Sequence, residues 1–221
     1  MVRLVKGAYW DTEIKQAQVH GLADFPVFTH KAATDIAYIS CAQRLLGMTD
    51  RIYPQFATHN AHTVAAILEL ATDKNAFEFQ RLHGMGEALH DRILREHATH
   101  CRIYAPVGVQ RDLLAYLVRR LLENGANSSF VHQIVDQSIA PSMVAADPFT
   151  HDTRHPANPA VIAPSALYAP ERHNSQGWDV QNKADRAKFE AICAPYQTEQ
   201  WSVGPLYSSE MKMSHLFIKY P

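Results

Sequence analysis

The apolar positions of this chain switch between two periods, and the alternation marks a repeating unit. Val2-Arg3-Leu4-Val5 is short and β-rich and runs to Gly7, which predicts a strand entering a loop. Ile14, Ala17 and Gln18 predict a helix over 12–20, with Asp11 placed to cap it. Residues 21–26 break that helix, and Val27-Phe28 reads as a brief extended piece. Ile36, Ile39, Ala42 and Leu46 then share one face of a helix over 33–46, stopped by Gly47. From there strand-like stretches at 52–58, 77–82 and 102–105 alternate with helical patterns over 61–71, 87–96 and 111–124. Ser128 is placed to cap a further short helix through Phe130, Ile134 and Val135.

Strand, loop and helix repeated four times imply parallel strands joined by right-handed crossovers. Eight such units close a barrel of ~250 residues, so four make half of one. A doubly wound open sheet is the competing architecture. It lacks the expected Gly-x-Gly-x-x-Gly after the first strand, and His83-Gly84-Met85-Gly86-Glu87 is not that fingerprint.

The helix over 111–124 has an unusual surface. Leu113, Leu114, Leu117, Val118, Leu121 and Leu122 cover most of it, while Tyr116, Arg119, Arg120 and Glu123 share one arc about 100° wide. Two adjacent arginines suit a bidentate clamp on a carboxylate or phosphate. The plainer alternative is a solvated face with local ion pairs. Glu123 lies C-terminal to both arginines, the poorer order for such pairs and for the helix dipole.

Residues 141–170 break the rhythm: six of the twelve prolines fall there, at Pro141, Pro148, Pro156, Pro159, Pro164 and Pro170. The expected organisation is a β/α region over 1–140, a proline-rich extended linker over 141–175 and a fragmentary region over 176–221. In the last, only 184–194 recovers a helical pattern.

Charge adds exclusions. With 21 basic and 22 acidic residues there is no nucleic-acid-binding character. No apolar run approaches the ~18 residues of a membrane span, and the N-terminal residues have no signal-peptide layout. Cys41, Cys101 and Cys193 have no metal or disulfide spacing, which favours a reducing, cytosolic setting. Thirteen histidines raise the question of metal. His97, His100 and Cys101 form the tightest cluster but lack a fourth ligand nearby, so a metal-dependent hydrolase is the weakest of three readings. The strand ends carry reactive side chains in succession: Lys6 to Tyr9, Thr58-His59-Asn60, His83-Gly84 and Tyr104. Barrels keep their active sites there.

Five motifs in order now carry a resemblance: Arg3-Leu4-Val5-Lys6-Gly7-Ala8-Tyr9-Trp10-Asp11, Tyr53-Pro54-Gln55-Phe56-Ala57-Thr58-His59-Asn60-Ala61-His62, Leu82-His83-Gly84-Met85-Gly86-Glu87, Arg102-Ile103-Tyr104-Ala105-Pro106-Val107-Gly108, and the stretch from Tyr116 to Phe130. From about residue 2 to 148 the chain resembles the proline dehydrogenase domain of bacterial bifunctional proline utilization A flavoenzymes. Tyr168-Ala169-Pro170-Glu171-Arg172, followed by Asn174-Ser175, resembles the family's connection toward its aldehyde dehydrogenase half.

The resemblance implies an α/β fold: the second half of a (β/α)8 TIM-type barrel (four βα units), then an extended linker and a partial helical tail. It implies FAD as cofactor and oxidation of L-proline to Δ1-pyrroline-5-carboxylate by hydride transfer to flavin N5, with NAD serving only the absent aldehyde dehydrogenase half. Arg119 and Arg120 would clamp the proline carboxylate, Tyr104 and Tyr116 would pack on the pyrrolidine ring, and Tyr9 would lie beside the substrate. Arg3 would approach the flavin N5 edge. Lys6, Gly7, Ala8, Trp10, Thr29, Lys31, His59, Asn60, Leu82, Glu123, Ser129 and Phe130 would hold the rest of the cofactor. Implied partners are a membrane quinone and the missing half of the barrel, with a homo-oligomer in the full-length parent. The implied location is the cytoplasm, with peripheral association to the inner membrane.

Two departures shape the expectations. The first strand resembles the family's fifth, so the strands that supply a lysine and acidic residues to the proline site are absent. His30 stands where an arginine is commoner. An open half-barrel would expose strand edges and apolar faces. The 221-residue chain alone is therefore expected to bind FAD weakly and to have little activity. The alternative role is a catalytically incompetent half-barrel that acts only as an interacting or complementing piece.

Overall fold

The computed structural model describes the chain except Ala8, 126–135, 151–156, Trp201 and 203–221, and the side chains of 121–125. The expected helix after Ser128 lies outside the described residues. The strands are β1 (Val2–Val5), β2 (Pro54–Ala57), β3 (Glu78–Leu82) and β4 (His100–Tyr104). The main helices are α1 (Trp10–His20), α2 (Lys31–Leu46), α3 (Ala61–Leu70), α4 (Glu87–His97) and α5 (Gln110–Gly125). All four strands are parallel in the order β1-β2-β3-β4, as the βα repeat predicts. Val27-Phe28 is not a strand. Pro26 interrupts the segment, and the Phe28 carbonyl accepts a hydrogen bond from the Trp10 indole Nε1 at 2.8 Å. No described helix is long and apolar enough to cross a membrane.

Register divides the sheet into two unlike faces. Leu4, Phe56, Phe79 and Cys101 are aligned across the four strands. They meet Tyr38 and Ala42 of α2, Val64 and Ile67 of α3, and Ile93 of α4 in the hydrophobic core. Phe77 meets Phe56 and Phe79 edge-on, with centroids 5.5 and 5.3 Å away. Tyr38 ties α2 to the sheet by donating its hydroxyl toward the carbonyls of Leu4 and Ala57 at 3.3 and 3.4 Å. The opposite face carries Arg3, Gln55, Glu78, Gln80, Arg102 and Tyr104, because side chains alternate along a strand. β1 and β4 are the outer strands, and Val2, Val5 and Ile103 on them are exposed.

The helices start and stop for local reasons. Asn60 accepts a hydrogen bond from the Thr63 N–H at 3.1 Å and so caps α3. Gly21 closes α1 in the left-handed conformation, φ 60°, with its own N–H and that of Leu22 returned to Gln18 and Ala17.

The described part of the proline-rich stretch belongs to the same compact unit as the sheet, which extends from Met1 to Gly177. A short helix, α6 (Pro141–Val144), opens the stretch. Gln18 Nε2 donates to the Ile162 carbonyl at 2.7 Å, Asn174 Nδ2 to the Gln18 carbonyl at 2.8 Å, and the Gly177 N–H to the Gly21 carbonyl at 2.9 Å. Proline-rich composition removes periodicity, not attachment, since backbone carbonyls still bind side chains. A Cβ on Gly21 would collide with the Ser175 carbonyl. Gly21→Ala should therefore release this stretch and add about 1–2 kcal/mol of left-handed backbone strain. Faster proteolytic cleavage within 157–177, with stability lowered by no more than that ~1–2 kcal/mol, is the expected readout; unchanged cleavage would contradict it.

The second unit, from Trp178 onward, contains α7 (Lys183–Cys193). Asn182 caps it by accepting from the Ala184 N–H at 2.9 Å. The Trp178 and Phe189 rings lie 6.1 Å apart.

Candidate active site

Among its described side chains, α5 turns Tyr116, Arg119 and Arg120 to the protein and Leu114, Leu117 and Val118 to solvent. Leu114, Leu117 and Val118 are 61%, 50% and 43% exposed, whereas Tyr116, Arg119 and Arg120 are partly buried. That inversion decides between the two readings of the arc: it is not a solvated face. The Arg119 guanidinium lies 4.9 Å from the centre of the Tyr9 ring, which follows β1. Arg120 lies 5.0 Å from the ring of Tyr116. Its charge also reaches His59 after β2 and Tyr104 at the end of β4. The helix thus brings Tyr9, His59, Tyr104, Tyr116, Arg119 and Arg120 together over the C-terminal ends of the strands. The Arg119 Nε is buried and has no hydrogen-bond partner among the described residues. A buried guanidinium N–H without an acceptor is costly, so this group has the chemistry to take an anion.

Arg3 joins from the polar sheet face. Its guanidinium lies 4.8 Å from the centre of the Tyr104 ring, and its Nε donates to Gln80 Oε1 at 2.8 Å. Burial raises the Tyr104 pKa, with Arg3 opposing, so the phenol stays protonated at neutral pH.

Lys6 and Lys31 share one carboxylate. Asp35 accepts from Lys6 Nζ at 2.5 Å and from Lys31 Nζ at 2.6 Å, and Lys6 also reaches Thr63 Oγ1 at 3.2 Å. Burial works to raise the Asp35 pKa, but hydrogen bonds from Lys31 and Lys6 outweigh it and hold the carboxyl below the usual range. Two ammonium groups on one carboxylate leave a net positive charge. Lys31, Asp35, Asn60, His62 and Thr63 line a cleft of about 270 Å³, closed on one side by Met143, Val144 and Pro148. A Cβ on Gly7 would meet nothing within 4 Å, so the chain is open there. Thr29 is turned to the proline-rich stretch: its Oγ1 accepts from the Asn158 N–H at 2.9 Å. Ala8, Ser129, Phe130 and the Glu123 side chain lie outside the described residues.

His59 is held at the edge of the site. Its Nε2 accepts from the Leu82 N–H at 3.1 Å, linking the ends of β2 and β3. Burial, His90, Arg120 and Arg81 push its pKa down to about 4. The folded state therefore keeps His59 neutral while the unfolded chain protonates near 6.5. Stability should fall as pH drops from 6.5 toward 4, because only the unfolded state gains the proton. Buried His90, whose pKa burial also lowers, acts in the same direction. His59→Gln keeps an acceptor for Leu82 and should shallow this slope in urea denaturation across the range. An equally steep slope in the variant would remove His59 from the account.

The histidine cluster considered for metal does not converge. His100 and Cys101 are neighbours in β4 and face opposite sides of the sheet, while His97 Nδ1 lies 3.2 Å from Lys74 Nζ. No group of three or more His, Cys, Asp or Glu among the described residues is placed to hold a metal.

Glu78, Gln80 and Arg102 were not foreseen as site residues. Alternation over 77–82 was the available signal: Phe77, Phe79 and Arg81 fall on one side and Glu78, Gln80 and Leu82 on the other. Buried Arg81, which donates to Glu87 across 3.4 Å, interrupts the apolar row on the helix side and obscures that pattern.

A family model described as proline dehydrogenase matches residues 1–133. The bifunctional protein PutA of Escherichia coli is 47% identical over 93% of this chain, and that of Rhizobium meliloti 46% over 95%. The chain spans 17% and 18% of the length of those two relatives. A crystal structure of bifunctional proline utilization A matches with a TM-score of 0.85 at 51% identity, covering 95% of this chain and 21% of that one. The Bradyrhizobium japonicum protein matches at 0.81 and 52% identity, covering 92% and 21%.

Proposed function

This chain belongs to the proline dehydrogenase family, a family of oxidoreductases, and from that premise we propose that it forms the substrate-clamping half of an FAD-dependent proline dehydrogenase. The observation that carries the reading is the inward polar arc of α5, with a buried Arg119 Nε that lacks an acceptor among the described residues. A carboxylate on a small ring supplies what this arc needs. Arg119 and Arg120 bind it through charge-assisted hydrogen bonds. Tyr9, Tyr104 and Tyr116 give flat surfaces for a pyrrolidine ring. The product of proline oxidation would be Δ1-pyrroline-5-carboxylate.

The residues present fit FAD. The net positive charge around Lys6, Lys31 and Asp35 suits a diphosphate. Arg3 stands on the polar face of the sheet, where a cation would favour negative charge on an isoalloxazine edge. FAD, when bound, would supply the two-electron acceptor for a hydride from proline C5. The chain's residues hold the carboxylate, orient the ring and keep the substrate amine beside neutral aromatic surfaces. Lys6, Gly7, Ala8, Trp10, Thr29, Lys31, His59, Asn60, Leu82, Glu123, Ser129 and Phe130 are the proposed cofactor contacts.

The parallel sheet with two exposed outer strands supports completion by four further βα units into an eight-stranded barrel. In the full-length protein a membrane quinone would receive the electrons at the inner membrane surface, from the cytoplasmic side. The test is a chimera in which this chain replaces the corresponding stretch of the Escherichia coli relative. Bound flavin and proline-dependent dye reduction are expected. The chain alone should retain little flavin. A soluble chimera without proline oxidation would overturn the reading.

A further inference from the structure

On the polar face of the sheet, β3 places Glu78 and Gln80 side by side, two residues apart. The geometry points to these two as positioning residues for Arg3: Glu78 sets the direction of the Gln80 amide, and Gln80 holds the Arg3 guanidinium. What Arg3 then does rests on the proposed function; how Arg3 is held rests on distances alone.

Glu78 is 5% exposed and densely bonded. Its Oε1 accepts from Arg102 Nε at 2.6 Å, Gln55 Nε2 at 2.7 Å and Gln80 Nε2 at 2.9 Å. Its Oε2 accepts from Arg102 Nη2 at 2.9 Å, which completes a forked pair. An ionised carboxylate only accepts. Gln80 must therefore turn its NH2 toward Glu78, which aims the amide carbonyl the other way, at Arg3 Nε 2.8 Å distant. A glutamine alone could sit either way round; the carboxylate on one side and the Arg3 N–H on the other both select the same orientation. The Arg102 hydrogen bonds hold the Glu78 carboxyl below the usual carboxylate range, so its acceptor-only state persists across neutral pH. With Nε committed to Gln80 and the guanidinium over the Tyr104 ring, a ligand above the strand ends meets Arg3 through its Nη groups.

Two variants test this. Gln80→Met removes the acceptor for Arg3 at similar volume. Glu78→Gln keeps the volume but removes the charge and can turn a donor to Gln80, which weakens the anchor on the Gln80 NH2 and loosens its grip on Arg3. In the 221-residue chain the Arg3 Nε–H is followed by ¹⁵N NMR, its signal assigned by its loss in Arg3→Lys. Its exchange with solvent should be at least about tenfold faster in both variants than in the wild type, as for a hydrogen bond opened to water. In the chimera both variants should lower kcat by roughly tenfold with the proline KM held within about twofold, because the α5 clamp is untouched. The flavin midpoint potential should become more negative; a purely structural role would lower thermal stability and leave the potential alone. Unchanged Arg3 exchange in both variants, or an unchanged potential in flavin-loaded variants, overturns the inference. A chimera that binds no flavin overturns the proposed function instead, and the exchange comparison then decides by itself how Arg3 is held.

Discussion

Arg119→Met or Arg120→Met, each made in the chimera with the Escherichia coli relative, should raise the proline KM by tens- to thousands-fold. The estimate follows from the ~2–5 kcal/mol lost when one partner of a buried, hydrogen-bonded charge pair is truncated. Methionine keeps most of the side-chain volume, so Tyr9 and Tyr116 retain apolar cover while the guanidinium is lost. The effect should concentrate in KM, since a carboxylate away from the reacting carbon is bound alike in ground and transition states. Steady-state kinetics on each variant make the comparison. A proline KM within threefold of wild type in both would remove the carboxylate clamp. A decarboxylated analogue, pyrrolidine, should discriminate poorly between variant and wild type.

Phe79→Ala should cost about 3–5 kcal/mol of stability, the usual range for truncating a buried phenylalanine. Phe79 is fully buried at the centre of the sheet's helix-facing side, with the Phe77 ring 5.3 Å and the His90 ring 5.9 Å from its own. It sits in β3, the inner strand beside β4, every residue of which is buried. A loss of that size is a large share of a domain's total of ~5–15 kcal/mol, so partial unfolding at room temperature is the expected outcome. Urea denaturation measures it. A change below about 1 kcal/mol would mean that the core lies elsewhere.

Period and punctuation made most of the fold legible. Val2–Val5, the three later strands and the five main helices follow from alternation, helical spacing and Gly or Asn at the ends, because each of these is a local constraint. Val27-Phe28, read as a brief extended piece, joins no strand of the sheet. Composition alone did not show what the 141–175 stretch binds. Prolines abolish periodicity, but Asn174, Gly177 and the Ile162 carbonyl still bind α1.

For the site, the sequence by itself determined which residues share a helix face or a strand face. Tyr116, Arg119 and Arg120 lie on one arc of α5 whatever that helix packs against, since 100° per residue is a property of the backbone. Only the tertiary structure decided which side of α5 turns inward. A helix dominated by leucine would ordinarily bury its leucines; here Leu114, Leu117 and Val118 face outward and the arginines face Tyr9 and the strand ends. The network of Glu78, Gln80 and Arg102 behind Arg3 likewise depended on register between strands. Pairing between residues more than twenty positions apart in the chain is set by the packing of the whole sheet, and no local pattern encodes it.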